Sequence, residues 1–170
     1  LAGVPLLYCY QSLYLAENAG GLLLPVPAVY WYPVLALLLV VAYCVWDHAN
    51  YQKCYFKMEQ RGESALHERR LFPTFPHLEN PKYIKCEVGV LLIDGWYAKA
   101  RKIHYTADTA MALLWGLSCG LRSPLPYVYF GFFFAMITHR AGRDEVRCRQ
   151  KYGATWDKYL QTVPARWVIM

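Results

Sequence analysis

Long apolar stretches alternate with polar, basic stretches along this chain. Residues 1–16 carry no charge and are predicted to form the end of a membrane helix. No charged residue occurs in residues 18–46, and the core of that stretch, residues 29–46, is long enough to cross a bilayer as a helix. Prolines up to Pro33 crowd its start, so we expect the helix to begin near Tyr32.

A polar stretch follows at residues 47–106, and its pattern predicts several short elements. Residues 47–62 are expected to continue the preceding helix out of the membrane. The proline-rich residues 71–81 predict an extended loop. Residues 85–94 predict a short strand pair or a buried loop, and residues 95–108 predict a helix rich in polar side chains.

The remaining chain is predicted to be a helical hairpin followed by a polar tail. Within residues 107–138, two apolar segments at 109–121 and 123–138 predict the two helices of the hairpin. The tail, residues 139–170, is basic and predicted to be helical with a break at Gly153. We therefore expect an all-α fold, a membrane helical bundle with polar segments outside the bilayer.

The composition supports a membrane protein. Hydrophobic residues make up 56% of the 170 residues and charged residues only 18%, against about 25% charged in soluble domains. The chain opens on Leu1 in an apolar stretch, and we expect it to be a piece of a longer protein.

The distribution of basic residues predicts which side of the membrane the polar segments face. The net charge is +6, and apart from Arg122 every Lys and Arg lies in residues 47–102 or 139–170. The hairpin returns the chain to its starting side, so the positive-inside bias places both segments in the cytosol. Because these basic segments flank long uncharged ones, membrane topology explains the charge better than nucleic-acid binding does.

Several classes of site are not supported by the sequence. The six cysteines show no zinc-like spacing, so we expect reduced thiols and no metal site. No GxGxxG, GxxxxGK[ST], GxSxG or HExxH pattern occurs. A nucleotide would therefore have to be held by side chains rather than by a glycine-rich loop.

Lys53 and Lys57 form the first candidate site. Four residues apart on a predicted helix, they lie on one face, where two ammonium groups suit a phosphate. The alternative is a solvated, positively charged helix end.

A polar stripe at the start of the hairpin forms the second candidate. Arg101, His104, Tyr105 and Asp108 are spaced to share one helix face that runs into an apolar segment. Ionisable groups entering a membrane are costly and usually functional. The alternative is an ordinary interfacial stripe in which Asp108 caps a helix.

The third candidate lies in the tail. Arg140, Asp144, Cys148 and Lys151 share a predicted helix face, and the two cations suit phosphate oxygens. Asp144 would orient one of them or accept a hydrogen bond from a ribose hydroxyl. The alternative is a plain salt bridge between Arg140 and Asp144 on the helix surface.

At these blocks the sequence resembles the sterol reductase family, which includes the C14, C7 and C24(28)/C24(24¹) reductases and the lamin B receptor. The resemblance runs through nearly the whole chain. It is carried by NYQK at residues 50–53, LLIDGWYAKARKIHYTAD at 91–108 and HRAGRDEVRCRQKYGATWDKYLQTVP at 139–164. FKMEQRG at 56–62, RRLFPTFPHLENPKYI at 69–84 and WGLSCG at 115–120 look most like the fungal-type Δ24(24¹)-sterol reductase.

The resemblance implies a fold, a cofactor and a set of site residues. The fold would be a bundle of about ten membrane helices in the endoplasmic reticulum, of which this chain is the C-terminal part. The cofactor would be NADPH, held in a pocket that faces the cytosol. The residues implied to bind NADPH are Lys53, Lys57, Leu92, Tyr97, His104, Tyr105, Arg140, Asp144, Cys148, Lys151, Tyr152 and Tyr159.

The implied reaction is the reduction of a sterol carbon–carbon double bond, which needs a hydride and a proton. Asp144 and Tyr152 are the candidate catalytic residues, and we expect the pKa of Asp144 to be raised in a membrane-level pocket. A C7 or C14 reductase is the alternative reaction. Alternatives from other classes are an isoprenylcysteine-type membrane methyltransferase and a non-catalytic scaffold like the lamin B receptor. The ending VPARWVIM departs from the family pattern, so no role is assigned after Pro164.

Overall fold

The structure is a computed structural model, and it describes residues 3–62, 77–86 and 88–167. Most of the predicted extended loop at residues 71–81 lies outside the described residues. The described chain divides into two compact units, the first comprising Leu1–Cys44 and Ala107–His139 and the second Val45–Thr106 and Arg140–Met170.

The described residues are mostly helical. The helices are α1 (Gly3–Asn18), α2 (Ala28–Glu59), α3 (Trp96–Lys99), α4 (Ile103–Ser118), α5 (Val128–Tyr152) and α6 (Ala154–Thr162). Two 3₁₀ turns lie at Ala19–Gly21 and Leu125–Tyr127. Strands β1 (Tyr83–Cys86) and β2 (Gly89–Leu92) form an antiparallel hairpin in which Tyr83 pairs with Leu92.

The prediction of an all-α fold is wrong in one respect, because the described residues include this pair of strands besides the helices. The strand pair was one of the two alternatives predicted for residues 85–94, although β1 begins two residues earlier, at Tyr83. Successive β2 side chains point to opposite faces, so Leu91 and Leu92 pack in different clusters. The larger bundle of about ten membrane helices stays a prediction.

Helix α2 is the one helix of the described residues that is long and apolar enough to cross a membrane, and only 11% of its most apolar window is buried. It begins at Ala28, so the expected start near Tyr32 is wrong. The amides of Tyr30 and Trp31 donate to the Pro27 carbonyl, which starts the helix ahead of Pro33. Pro33 lacks an amide hydrogen, so α2 loses a single main-chain hydrogen bond in its second turn.

In the first unit, hydrogen bonds tie down the turn between α4 and α5. The Leu121 amide donates to the Leu23 carbonyl at 2.8 Å, and the Arg122 guanidinium donates to the Gly21 carbonyl at 2.9 Å. Gly120 has φ +74, and a Cβ there would lie 2.7 Å from the Leu23 oxygen. Only glycine fits this position without strain. The second hairpin helix, α5, starts at Val128 rather than at residue 123, because the 3₁₀ turn at Leu125–Tyr127 precedes it.

The second unit has two apolar clusters. The first contains Ala49, Phe56, Leu92, Tyr97, Ala100 and Ile103, and the second contains Trp156, Tyr159 and Val163. Helix α5 ends at Tyr152 and α6 begins at Ala154, so the predicted break at Gly153, which has φ +52, is confirmed.

The single helix predicted over residues 95–108 is wrong, because α3 ends at Lys99 and α4 begins at Ile103. Ala100 is extended between them, with φ −156 and ψ 144. The amides of Arg101 and Lys102 donate to the carbonyls of Ala165 and Arg166, each at 3.0 Å. These long-range hydrogen bonds replace the ones that a continuous helix would have made.

Candidate functional site

A cavity of about 180 Å³ lies within the second unit, where α2, β2, α5 and α6 converge. Residues 90–92 of the hairpin form one part of its wall, and the connection between α3 and α4 forms another. Its lining consists of Lys53, Phe56, Lys57, Val90, Leu91, Leu92, Tyr97, Arg101, Lys102, Cys148, Tyr152, Trp156 and Tyr159. Both lysines of the first candidate therefore line this cavity, whereas Cys148 is the one residue of the third candidate that does so.

Cationic side chains dominate the polar part of this lining. Burial, and to a smaller extent the positive charges of Lys57 and Lys102, lowers the pKa of Lys53 to about 8. The Lys53 ammonium lies 5.3 Å from the centre of the Tyr97 ring, and this cation–π contact offsets part of the free-energy cost of burying the charged amine. A cation that is held in an unfavourable position gains most from an anionic partner.

Aromatic rings form another part of the wall, and two of them carry buried polar atoms that have no partner among the described residues. The Tyr97 hydroxyl and the Trp156 indole N–H are both buried and make no hydrogen bond. Burial raises the pKa of Tyr97, and it raises that of Tyr159 to about 12. Both phenols are therefore neutral donors at physiological pH. Buried donors of this kind are rare unless a ligand or water completes them.

His104 lies beside this cavity at the start of α4. Its ring centre is 6.4 Å from that of Tyr97 and 4.4 Å from that of Tyr105, and its Nδ1 is buried without a partner. Burial, together with the positive charges of Lys53, Lys102 and Arg140, lowers the pKa of His104 to about 3. The imidazole is therefore neutral at physiological pH and can offer one donor and one acceptor.

Asp144 makes two hydrogen bonds through one carboxylate oxygen. Lys102 Nζ donates to its Oδ2 at 3.0 Å and the Tyr105 hydroxyl donates to the same atom at 3.3 Å. Partial burial raises the pKa of Asp144, but Lys102, Tyr105 and Arg140 together outweigh it, so its pKa lies below the ordinary value. The expectation of a raised pKa is thus wrong, and so is the alternative of a plain salt bridge to Arg140. Asp144 is an anion here.

Two of the predicted cations lie outside the cavity lining. Arg140 is exposed on α5. Lys151 is also exposed, and it borders a groove of about 340 Å³ beside the cavity, together with Lys57, Arg61 and Tyr152. Lys57 and Tyr152 belong to both linings, so the groove continues the cavity with further positive charge.

The structure brings most of the predicted site residues to one cavity. Lys53, Lys57, Leu92, Tyr97, Cys148, Tyr152 and Tyr159 line it, whereas His104, Tyr105, Arg140, Asp144 and Lys151 do not. Sequence reasoning missed Lys102 and Trp156 as lining residues and noted Arg101 only as part of a stripe. Lys102 follows Arg101 directly, so the basic pair was visible. Trp156 lies a helical turn from Tyr159, and that spacing was the available signal.

The first unit contains a separate, mainly apolar cavity of about 470 Å³. It lies within the roughly 300–1,000 Å³ typical of small-molecule pockets. Its lining consists of Leu39, Val40, Tyr43, Asp108, Met111, Ala112, Trp115, Tyr129 and Phe133. Among the described residues that line this cavity, Asp108 is the one that carries a charge, and the others are aromatic or aliphatic.

Together these features define a mostly helical protein that has a basic, aromatic-lined cavity and a helix apolar enough for a membrane. The chain belongs to the ergosterol biosynthesis ERG4/ERG24 family, whose model matches residues 1–170. The resemblance identified in the sequence is thereby confirmed.

Relatives within this family carry the names of sterol reductases. The chain is 43% identical to Delta(24(24(1)))-sterol reductase erg4A of Aspergillus fumigatus, over 96% of the chain and 35% of that relative. It is 45% identical to Delta(24(24(1)))-sterol reductase of Gibberella zeae, over 96% of the chain and 27% of that relative. It is 35% identical to mouse Delta(14)-sterol reductase TM7SF2, over 98% of the chain and 36% of that relative. The chain therefore spans about a third of the length of such relatives.

Proposed function

We propose that this chain forms the cofactor-binding part of a membrane enzyme that uses NADPH to reduce a sterol carbon–carbon double bond. The family supports a sterol substrate. The observation that carries the proposal is the cavity of the second unit, where cations from separate segments meet buried aromatic donors that have no partner.

The residues present fit a phosphate-bearing dinucleotide. Lys53 and Lys57 would contact phosphate oxygens, and Lys151 would contact them in the adjoining groove. The cavity of about 180 Å³ is smaller than most ligand pockets, so it would hold one part of the dinucleotide. The groove of about 340 Å³, with Lys57, Arg61 and Lys151 on its walls, would hold another part.

Neutral groups of the site would hold and orient the rest of the cofactor. Leu92 and Tyr97 would flank it, and Tyr97 and Trp156 would donate the hydrogen bonds that they do not make within the protein. His104, which is neutral, would pair with an amide or hydroxyl through Nδ1. We propose that Tyr105, Arg140, Cys148 and Tyr159 complete the site.

When bound, NADPH supplies a hydride to one carbon of the double bond, so the protein must supply a proton for the other. Tyr152 lines the cavity and carries a phenolic proton, which makes it our candidate acid. Asp144 is an anion paired with Lys102, which disfavours it as the acid itself. We propose that Asp144 acts in catalysis by holding the Tyr105 hydroxyl and the Lys102 ammonium in place.

The double bond that we propose is Δ24(24¹). The named relatives with this reaction are 43% and 45% identical to the chain, whereas those named Δ14 reductases are 33–36% identical. A Δ14 reductase is the second candidate. Sterol profiling by mass spectrometry after deletion of the gene separates the two candidates. A sterol that keeps the Δ24(24¹) double bond, also written Δ24(28), accumulates in the first case, and a Δ14 sterol accumulates in the second.

The proposed setting is the endoplasmic reticulum membrane, with the cofactor site on the cytosolic side. Helix α2 would cross the bilayer through its apolar residues 29–46. The basic residues of the second unit would then follow the positive-inside bias. The mainly apolar cavity of the first unit suits the body of a sterol, with Asp108 and tyrosines to receive a polar group.

Cys148 offers a direct test of the cofactor proposal, because it is half-buried in the cavity lining. The full-length protein in membranes is treated with N-ethylmaleimide, and modification of each cysteine peptide is followed by mass spectrometry. NADPH should slow modification of Cys148 but not of Cys54, an exposed cysteine on the same helix as Lys53. Lys53→Met should abolish the protection.

The same assay separates the reductase from the rival methyltransferase. S-adenosylmethionine carries a sulfonium, a single carboxylate and no phosphate, so it needs fewer cations than Lys53, Lys57, Arg101 and Lys102 supply. Protection by S-adenosylmethionine, or no protection by NADPH, would sink the proposal.

A further inference from the structure

The segment after α6, residues 163–167, makes close contact with the connection between α3 and α4. We name residues 163–167 the C-terminal strap. Val163 is 2% exposed and packs with Trp156 and Tyr159, residues of the cavity wall. Ala165 packs against the apolar cluster that contains Tyr97 and Ile103. The strap is therefore part of the second unit's core.

Hydrogen bonds join the strap to Arg101 and Lys102 through its main chain. The Arg101 guanidinium donates to the carbonyl oxygens of Val163 at 2.6 Å and Pro164 at 2.7 Å. The amides of Arg101 and Lys102 donate to the next two carbonyls, those of residues 165 and 166. Arg101 thus binds the strap through Nη1 and its main-chain amide, while its Nη2 lies 4.0 Å from Glu145 Oε1 and its side chain also lines the cavity.

Side chains of the strap reach the group around Asp144. Arg166 forms an ion pair with Glu145, the residue next to Asp144. Trp167 is 6% exposed, and its ring centre lies 5.9 Å from that of Tyr105. Tyr105 in turn donates to Asp144.

We propose that the C-terminal strap is a positioning device for the candidate site, and that Trp167 is the positioning residue that sets the Tyr105 ring against Asp144. This inference rests on the proposed reductase function. The strap holds the two residues that precede α4, and Trp167 packs on the first turn of α4. Loss of the indole leaves the Tyr105 hydroxyl free to turn away from the Asp144 carboxylate.

The test compares Trp167→Ala with Trp167→Phe in the full-length protein, with Gln161→Ala, an exposed position on α6, as the matched control. Hydrogen–deuterium exchange of peptides that contain Arg101 and Lys102 reports on the strap without any need for activity. These amides should exchange slowly in the wild type and in the control, and at least about tenfold faster in Trp167→Ala.

Kinetics with NADPH and sterol then test the positioning role. A small displacement of a catalytic group slows the reaction strongly, so kcat should fall by about tenfold to a hundredfold in Trp167→Ala. This fall should be a larger factor than the rise in the KM for NADPH. Trp167→Phe keeps an aromatic ring and should recover most of the kcat.

Two results would overturn the inference. One is an unchanged kcat in Trp167→Ala while the amides of Arg101 and Lys102 lose protection. The other is a kcat loss that matches the fall in folded protein and that Trp167→Phe does not relieve. Failure of the proposed function is distinguishable, because the wild type would then show no NADPH-dependent reduction while the exchange data remained informative.

Discussion

Lys53 is expected to destabilise the protein when no anion is bound, and its replacement by Met tests this directly. Burial and neighbouring cations bring the pKa of Lys53 down from 10.5 to about 8. At about 1.4 kcal/mol for each pKa unit, the charged amine costs the folded state about 3 kcal/mol at pH 7. Lys53→Met removes this cost, but it also removes the cation–π contact with Tyr97, which is worth up to about 1 kcal/mol. Lys53→Met should therefore stabilise the protein by about 2 kcal/mol.

The pH dependence of this gain has a definite sign. Between pH 8 and 10.5 the unfolded chain holds the Lys53 proton and the folded chain releases it, so wild-type stability rises with pH. The advantage of Lys53→Met should be constant below about pH 8 and should disappear as the pH approaches 10.5.

Thermal unfolding of the full-length protein in detergent measures the effect. At pH 7 the unfolding temperature of Lys53→Met should exceed that of the wild type by roughly 2–4 °C. Lys158→Met, at an exposed position on α6, should change it by much less. NADPH should raise the unfolding temperature of the wild type but not of Lys53→Met. A variant that unfolds at or below the wild-type temperature at pH 7 would refute the reasoning, and so would an advantage that persists at pH 10.5.

Further predictions concern a histidine, an indole and a glycine. His104 has a pKa of about 3 in the folded state, so the free energy of unfolding of the wild type should decrease as the pH falls below about 6.5. At pH 5 this loss is about 2 kcal/mol, and urea unfolding should show that His104→Asn does not suffer it. Trp156→Phe removes a buried N–H that has no partner among the described residues, so the free energy of unfolding should stay within about 1 kcal/mol of the wild-type value. Isothermal titration calorimetry should nevertheless show weaker NADPH binding. Gly120→Ala should destabilise by about 2 kcal/mol, because its Cβ would meet the Leu23 oxygen; Gly142→Ala, which meets nothing within 4 Å, should not lower the unfolding temperature.

Helical spacing predicted part of the cavity lining. Lys53 and Lys57, four residues apart on α2, both line the cavity, but of the face predicted in the tail only Cys148 does so, and Arg140, Asp144 and Lys151 do not. Side-chain type and period carry this information, so it can be read from the sequence.

Other features had no comparable signal. The interruption between α3 and α4 depends on the carbonyls of Ala165 and Arg166, and a main-chain acceptor leaves no mark in side-chain chemistry. The low pKa of Asp144 depends on Lys102, a residue 42 positions away that no local pattern links to it. The strand pair was predictable as an alternative, but its register depends on which cluster each β2 side chain enters.

The C-terminal strap has a consequence for how freely its sequence can vary. Its links to Arg101 and Lys102 use peptide carbonyls, which every amino acid supplies. Substitutions at Pro164 and Ala165 can therefore accumulate while the acceptors stay in place, so two proteins with unlike endings can share the same anchoring. Drift in this part of the chain is then poor grounds for inferring that the anchoring has been lost.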